Sequence, residues 1–195
     1  MNKVYYTDIT KINTKGPLTL NQWVIDKNKN QKDEHKKIQS YVGYKLLDIV
    51  LKKHNITNYG LTLNDSGKPG LVGVDLYFSI SHSENIVCLI LSDSEVGVDC
   101  EYVDSKRDLS KLIKYAFTIN EIEEYNSLSN DLKAEFFYKA WVQKEAYFKK
   151  LSIGLSKEFS KIECQLIVKQ LTDSIGNKYF VSSTCGEFNF EYISF

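Results

Sequence analysis

Two pairs of charged side chains have the residue types and spacing of a site for a metal ion and a phosphate. The first pair is Asp99 and Glu101, and the second is Glu145 and Lys149. Positions i and i+2 share a face of a strand, and positions i and i+4 share a face of a helix. Carboxylate oxygens without nitrogen or sulfur ligands suit Mg²⁺, which commonly binds one or two carboxylates together with a substrate phosphate. The spacing therefore favours Mg²⁺-assisted chemistry at a phosphate group.

Each pair also has a purely structural interpretation. An Asp-x-Glu at a strand end is often a solvated edge, and a Glu–Lys pair at i and i+4 is ordinary helix support. Against this, Val98 and Cys100 alternate with the two acids and are apolar, so the acids share one face and the opposite face is directed to the core. Two carboxylates on one face repel each other, and a protein that keeps both needs a cation nearby.

The composition favours an ordinary globular protein and gives no support to several other broad classes. Of the 195 residues, 43% are hydrophobic and 26% are charged, and the formal net charge is zero. This is typical of a soluble globular protein and gives no general argument for nucleic acid or a membrane as a partner. The four cysteines form no Cys-x-x-Cys pair, and the first residues lack an apolar signal segment, so we predict a cytoplasmic protein without disulfides. A Lys-rich segment from Lys27 to Lys53 is suited to an anionic ligand.

The elements that must position these side chains follow from hydrophobic spacing and turn residues. Strands are predicted over 76–81, 86–92 and 96–101, joined by short polar turns as an antiparallel meander, with a short edge strand or a loop over 19–24 and three more strands after residue 159. Helices are predicted over 31–53, 106–117, from the capping box at 118–121, and over 131–151. The order predicts an α+β fold with two halves, residues 1–102 and 103–195.

Four short blocks carry a resemblance to a known family. The blocks are Gly67-Lys68-Pro69, Phe78-Ser79-Ile80-Ser81-His82-Ser83, Gly97-Val98-Asp99-Cys100-Glu101, and Trp141-Val142-Gln143-Lys144-Glu145-Ala146 with Lys149. Their order and spacing resemble the 4′-phosphopantetheinyl transferases, in particular the monomeric two-half type that activates peptide and polyketide synthetases. The resemblance implies a pseudo-dimer of two similar α+β halves, each a small antiparallel sheet with packed helices, and coenzyme A in the cleft between them. It implies transfer of phosphopantetheine to a serine of an apo acyl or peptidyl carrier protein, with release of 3′,5′-ADP.

The resemblance also implies roles for individual acids and one lysine. Asp99, Glu101 and Glu145 would bind Mg²⁺, or Mn²⁺ in its place, together with the coenzyme A pyrophosphate. Glu145, directly or through a metal-bound water, would take the proton of the serine. Lys149 corresponds to the family lysine near the transferred phosphate.

Five further positions correspond to coenzyme-binding residues of the family. Lys68, Ser81 and His82 lie in the matching blocks. His35-Lys36 resembles a His-Arg step of the family, with Lys32 as a nearby second cation. Lys36 stands where the family has Arg, which removes a bidentate grip on phosphate.

Two other functions stay open at the level of sequence. One is a non-catalytic relative that binds a carrier protein or coenzyme A, although a pure binder has no need of three clustered carboxylates. The other is a different Mg²⁺-dependent phosphoryl enzyme. The resemblance to the two-half type implies a monomer, and we expect no nucleic acid or membrane partners.

Overall fold

The structure is a computed structural model that describes residues 2–12, 21–154 and 157–195. The helices are α1 (Gln22–Asn28), α2 (Glu34–Lys53), α3 (Ser110–Ala116), α4 (Ile119–Ser127) and α5 (Asn130–Lys150). The strands are β1 (Asn2–Asp8), β2 (Gly60–Leu63), β3 (Pro69–Val72), β4 (Tyr77–Ser83), β5 (Ile86–Ser92), β6 (Val98–Tyr102), β7 (Val168–Thr172), β8 (Lys178–Ser183) and β9 (Phe188–Tyr192). This mixture confirms the predicted α+β class. Across the described ranges, no helix combines the length and apolarity that crossing a membrane requires.

The strands form two sheets and a separate hairpin. In the first sheet the order is β4-β5-β1-β9, with β5 antiparallel to both neighbours and β9 parallel to β1. In the second sheet the order is β6-β8-β7, and both pairings are antiparallel. The hairpin joins β2 to β3. Strands β4 and β6 are therefore edge strands of different sheets.

Helices α2 and α4 begin close to their predicted starts. Their caps can be read from the sequence, because each capping side chain lies within three residues of the N–H group that it binds. At the start of α2 the Asp33 side chain accepts a hydrogen bond from the Lys36 N–H. At the start of α4, Thr118 and Glu121 form the predicted reciprocal capping box. Side-chain caps of this kind satisfy N–H groups that the first turn of a helix leaves unpaired.

Three local predictions need correction. The predicted helix over 106–117 begins only at Ser110, because the side chains of Asp104 and Asp108 cap N–H groups of residues 106 and 110 and hold this stretch in turns. Of the predicted edge strand or loop over 19–24, residues 19 and 20 lie outside the described residues, while 22–24 begin α1. Asn21 caps this helix by accepting from the Trp23 N–H. The turn-rich stretch over 62–73 also contains strand residues of the β2–β3 hairpin.

The predicted meander is correct for β4 and β5 and wrong for the third strand. Strand β6 does not continue the sheet beside β5, because the second edge of β5 is already paired with β1, for example Leu89 with Tyr5. Strand β6 pairs with β8 instead, with Cys100 opposite Val181. The partner of β6 thus comes from a distant part of the chain.

Segments from both predicted halves mix in the sheets. Strand β6, before residue 102, lies in the sheet of β7 and β8, and β9, near the end of the chain, adds to the sheet of β1. The division at residue 102 and the similarity of the two halves stay predictions. Helix α5 lies against β6 and β8, and aromatic side chains pack on its inner face. This packing brings the two charged pairs of the sequence together.

Candidate active site

Strand β6 presents Asp99 and Glu101 on one face and apolar residues on the other. Val98 and Cys100 are fully buried in a core cluster shared with β5 and β8, as the alternation predicts. The Asp99 side chain is nearly buried as well, with 3% of its surface exposed. The acid pair therefore stands on a strand whose position is held by the core behind it.

Helix α5 brings Lys149 to Asp99. The Lys149 Nζ lies 2.6 Å from Asp99 Oδ1 and 2.8 Å from Ser81 Oγ. Ser81 donates from its hydroxyl to the same Asp99 oxygen at 2.7 Å. The Ser81 hydroxyl of β4 and the Lys149 ammonium of α5 thus both donate to one carboxylate oxygen of Asp99 on β6. Ser81, which we predicted to bind coenzyme, is directed at Asp99 in this structure.

Burial and neighbouring charges raise the pKa values of both glutamates. Burial and the Asp99 charge raise the pKa of Glu101 to about 7, although Ser83 and Lys149 oppose the shift. Burial and the Asp99 charge also raise the pKa of Glu145 to about 7, again against Lys149. Burial raises the pKa of Asp99 itself, despite its ion pair with Lys149. Burial is the largest cause for all three acids, and the Asp99 charge adds to it at both glutamates, so a bound cation would favour their ionised forms.

The donor set has features that fit a hard cation. Asp99 Oδ2 is buried and has no hydrogen-bond partner among the described residues, which is an unusual state for a carboxylate oxygen. All three acids offer the oxygen ligands that Mg²⁺ prefers. In the described part of the chain, however, no three His, Cys, Asp or Glu side chains are grouped closely enough to hold a metal ion. The chemistry of the residues fits a cation, and a closed ligand set is not formed here.

The raised pKa values predict how stability depends on pH in the absence of divalent metal. Between about pH 4.5 and pH 7 the folded protein keeps protons on Glu101 and Glu145 that the unfolded chain has released. The stabilising contribution is therefore complete below pH 4.5 and lost once the pH passes 7. We expect the free energy of unfolding to fall on the order of 5 kcal/mol between pH 5 and pH 8, about half of it from each glutamate.

Urea unfolding in EDTA at several pH values measures this effect. The variant Glu101→Gln should lose roughly half of the pH dependence, since one of the two titrating groups is gone. An unfolding free energy that rises from pH 5 to pH 8 would contradict the assignment.

A cavity of about 340 Å³ opens beside the acids. Its walls come from α1, α2, the β2–β3 turn, β4 and the end of α5, and its polar and aromatic lining includes Lys27, Tyr44, Lys68, Phe78, His82 and Lys149. The volume lies within the range of small-molecule and cofactor sites. Lys149 lines the cavity and is also paired with Asp99. A ligand in the cavity that contacted Lys149 would therefore lie next to the acid cluster, by which we mean Asp99, Glu101 and Glu145.

Two of the predicted coenzyme residues line this cavity. The Lys68 ammonium is directed at protein groups, since it donates to Glu95 at 2.7 Å, to the Val96 carbonyl and to the Lys150 carbonyl. His82 lines the cavity, and part of its surface is exposed there. The protein atoms around the ring and the Lys149 charge lower its pKa. An uncharged His82 would contact an anionic ligand through hydrogen bonds.

The two lysines near the start of α2 that we predicted to bind coenzyme lie away from the cavity. Lys32 and Lys36 are exposed, and neither is among the described residues that line the cavity. Their neighbour His35 contacts the Glu84 carbonyl at 3.0 Å, at the tip of the β4–β5 hairpin. Lys27 and Tyr44 take the cavity positions instead. The Lys-rich composition pointed to this region, but the contact with the cavity depends on how α1 and α2 pack.

Lys144 is a charged residue whose role the sequence did not reveal. The pattern of α5 suggested a solvated Lys/Glu face, yet the Lys144 side chain is 0% exposed. Its ammonium lies 2.8 Å from a Glu121 carboxylate oxygen and donates to the carbonyls of Phe159 and Ile162. It thereby ties α5 to α4 and to the segment after α5.

Replacing Lys144 should cost much stability. The variant Lys144→Met keeps the length of the side chain but leaves the mostly buried Glu121 carboxylate without its counter-ion and two carbonyls without this donor. We expect a loss of about 3 kcal/mol in the free energy of unfolding, as for other broken buried pairs. Lys139→Met on the same helix is the matched control, because the Lys139 and Glu135 side chains are 45% and 38% exposed, against 0% for Lys144, and pairs open to solvent contribute less than about 1 kcal/mol. Equal losses in urea unfolding of the two variants would contradict the role of Lys144.

Comparison with known proteins accounts for this arrangement. Residues 95–185 match the family model of the 4′-phosphopantetheinyl transferase superfamily. This match supports a likeness to that superfamily over somewhat less than half of the chain. Asp99, Glu101, Glu145 and Lys149 all lie in the matched segment, whereas Lys68 and His82 precede it. The superfamily resemblance seen in the sequence is confirmed, and the monomeric two-half type stays a prediction.

Curated relatives extend the comparison. The chain is 36% identical over 83 residues to 4′-phosphopantetheinyl transferase HetI of Nostoc sp., covering 42% of this chain and 35% of that protein. It is 33% identical over 87 residues to 4′-phosphopantetheinyl transferase AcpT of Escherichia coli, covering 44% and 45%. It is 33% identical over 103 residues to 4′-phosphopantetheinyl transferase gsp of Aneurinibacillus migulanus, covering 52% and 42%. The alignments thus span less than half the length of each of these relatives.

Proposed function

We propose that the protein transfers the 4′-phosphopantetheine group of coenzyme A to a serine of an apo carrier protein and releases 3′,5′-ADP. The observation that carries the proposal is the junction of the acid cluster with the cavity through Lys149. A substrate whose pyrophosphate lay at this junction would place its reacting phosphorus beside Asp99, Glu101 and Glu145. The curated relatives that carry this transferase name support the proposal.

Charge balance at the junction assigns the roles of the residues. Asp99, Glu101 and Glu145 would hold Mg²⁺, or Mn²⁺, and the bound ion would neutralise pyrophosphate charge. The Lys149 ammonium, 31% exposed and facing the cavity, would bind a phosphate oxygen once the substrate competes with Asp99 for it. His82 and Lys68 would contribute further contacts along the cavity wall. The exposed Lys32 and Lys36 would act only on groups of coenzyme A that extend beyond it.

The reaction exchanges one bond at phosphorus for another. The serine oxygen of the carrier would form a bond to the phosphorus that bears pantetheine, and the bond from that phosphorus to the bridging oxygen of the pyrophosphate would break. Glu145, directly or through water, would accept the serine proton. Lys149 would stabilise the charge that develops on the departing 3′,5′-ADP.

A mass measurement tests the proposed activity. The protein is incubated with coenzyme A, Mg²⁺ and a panel of apo carriers from fatty-acid, polyketide and peptide synthesis, and each carrier is weighed. We expect at least one carrier to gain a single phosphopantetheine. No gain on any carrier would refute the transferase, and steady release of 3′,5′-ADP without a carrier would identify a hydrolase instead.

Binding measurements address the remaining alternative and the assembly. Coenzyme A binding that is independent of Mg²⁺, together with no transfer, would favour a non-catalytic relative. We expect the protein to act as a cytoplasmic monomer without nucleic acid or membrane partners, and sedimentation of the purified protein tests the monomer.

A further inference from the structure

Three serines join the two sheets at their edges. Strand β6 is an edge strand, so one row of its N–H groups has no strand to pair with. The hydroxyls of β4 take these donors: Ser79 Oγ accepts from Val98 N–H at 3.1 Å, Ser81 Oγ from Cys100 N–H at 3.3 Å, and Ser83 Oγ from Tyr102 N–H at 3.0 Å. We call these residues the serine ladder.

Two members of the serine ladder also hold the acids of β6. Ser83 donates to Glu101 Oε2 at 3.0 Å, and Ser81 donates to Asp99 Oδ1 at 2.7 Å. Ser79 takes only the structural part of this pattern among the contacts that the structure records, because the residue in the matching position, Gly97, has no side chain. The spacing is fixed by geometry, since alternate residues on each strand face the same way.

The hydroxyl of Ser83 has two effects on Glu101. Its hydrogen bond restricts the carboxylate to a narrow range of rotamers, which lowers the entropy lost when a ligand binds. It also lets two like charges persist on one strand face without adding a cation that would compete with the ligand. Groups of this kind, which orient a ligand residue from behind, commonly change metal affinity 10- to 100-fold.

We propose that Ser83 is a positioning residue that orients Glu101 toward the divalent cation shared with Asp99, through the same hydroxyl that ties β4 to β6. The inference rests on the proposed function for the identity of the cation as Mg²⁺ or Mn²⁺. Ser83 itself contacts neither the substrate nor the reacting atoms.

A matched pair of variants separates positioning from structure. Ser83→Ala and Ser79→Ala each remove one rung of the serine ladder, but only the first removes a contact to a carboxylate. Mn²⁺ binding is measured by electron paramagnetic resonance without coenzyme A, because Ser79 lines the cavity, and urea unfolding is measured in EDTA. We expect Ser83→Ala to weaken Mn²⁺ binding about tenfold and Ser79→Ala to change it less than twofold, while both shift the urea midpoint similarly.

A conservative variant and the transfer kinetics complete the test. Ser83→Thr keeps the hydroxyl and should restore Mn²⁺ affinity to within about threefold of the original, since the donor to Glu101 is the same. In the transfer assay, Ser83→Ala should raise the apparent KM for Mg²⁺ more than it lowers kcat. Equal Mn²⁺ affinities of the two alanine variants, or no Mn²⁺ binding by the unaltered protein, would overturn the inference.

The outcome is distinguishable from failure of the proposed function. Weaker Mn²⁺ binding by Ser83→Ala in a protein that transfers nothing would support the positioning role and refute the transferase. Transfer by the unaltered protein with no difference between the two alanine variants would do the reverse.

Discussion

Glu145→Gln is expected to lower the rate of phosphopantetheine transfer about 1,000-fold and to leave the fold intact. The substitution keeps the size of the side chain and removes both its negative charge and its ability to accept a proton. The folded state should not suffer, because burial and the Asp99 charge already disfavour the ionised form of Glu145. At pH 8 the variant should be at least as resistant to urea as the unaltered protein.

The same helix offers a matched control for this prediction. Glu135→Gln makes the identical chemical change at a carboxylate that lies outside the cavity and pairs with Lys139 and Lys178, each at 2.6 Å. We expect transfer by this variant within twofold of the original rate. Turnover by Glu145→Gln at the original rate would contradict the assigned role.

The pH profile of Glu145→Gln distinguishes the two ways in which Glu145 can act. If Glu145 is the base, the residual rate should rise tenfold per pH unit, because hydroxide replaces the missing acceptor. If Glu145 only holds the metal, the shape of the profile should persist; Mn²⁺ affinity should fall in both cases, because Glu145 would be a metal ligand in both.

Gly97→Ala should have the largest effect on stability, on the order of 4 kcal/mol. A Cβ at Gly97 would lie 1.9 Å from the Ala146 carbonyl oxygen and 2.7 Å from the Lys150 backbone nitrogen. Both contacts are with the backbone of α5, so no side-chain rotation relieves them. The helix would have to move away from β6, and with it Glu145 and Lys149 would move away from Asp99.

Gly70→Ala is the control for this variant. A Cβ at Gly70 would meet a Thr62 methyl group at 3.6 Å, which is an ordinary contact. We expect a change below about 1 kcal/mol in its free energy of unfolding. A Gly97→Ala protein with unchanged urea midpoint and unchanged Mn²⁺ affinity would show that the approach of α5 to β6 is not needed.

Local sequence determined the parts of the site that lie on single elements. The alternation of Asp99 and Glu101 with Val98 and Cys100 placed both acids on one face of a strand, and the capping box at Thr118 located the start of α4. These features involve neighbours a few residues apart, so spacing and cap chemistry are sufficient to predict them. The order of the motif blocks indicated a resemblance to the superfamily, and that resemblance implied a role for each acid.

Contacts between distant segments were decided by the tertiary structure. The sequence could not indicate that β1 occupies the second edge of β5 and sends β6 to β8, because strand pairing depends on which edges remain open. Nor could it indicate that Lys144 is buried, or that Lys27 and not Lys32 or Lys36 lines the cavity, because helix packing determines both. The sequence therefore determined which side chains could perform the chemistry. The close packing of α5 on β6, at a glycine without a Cβ, decided that they meet.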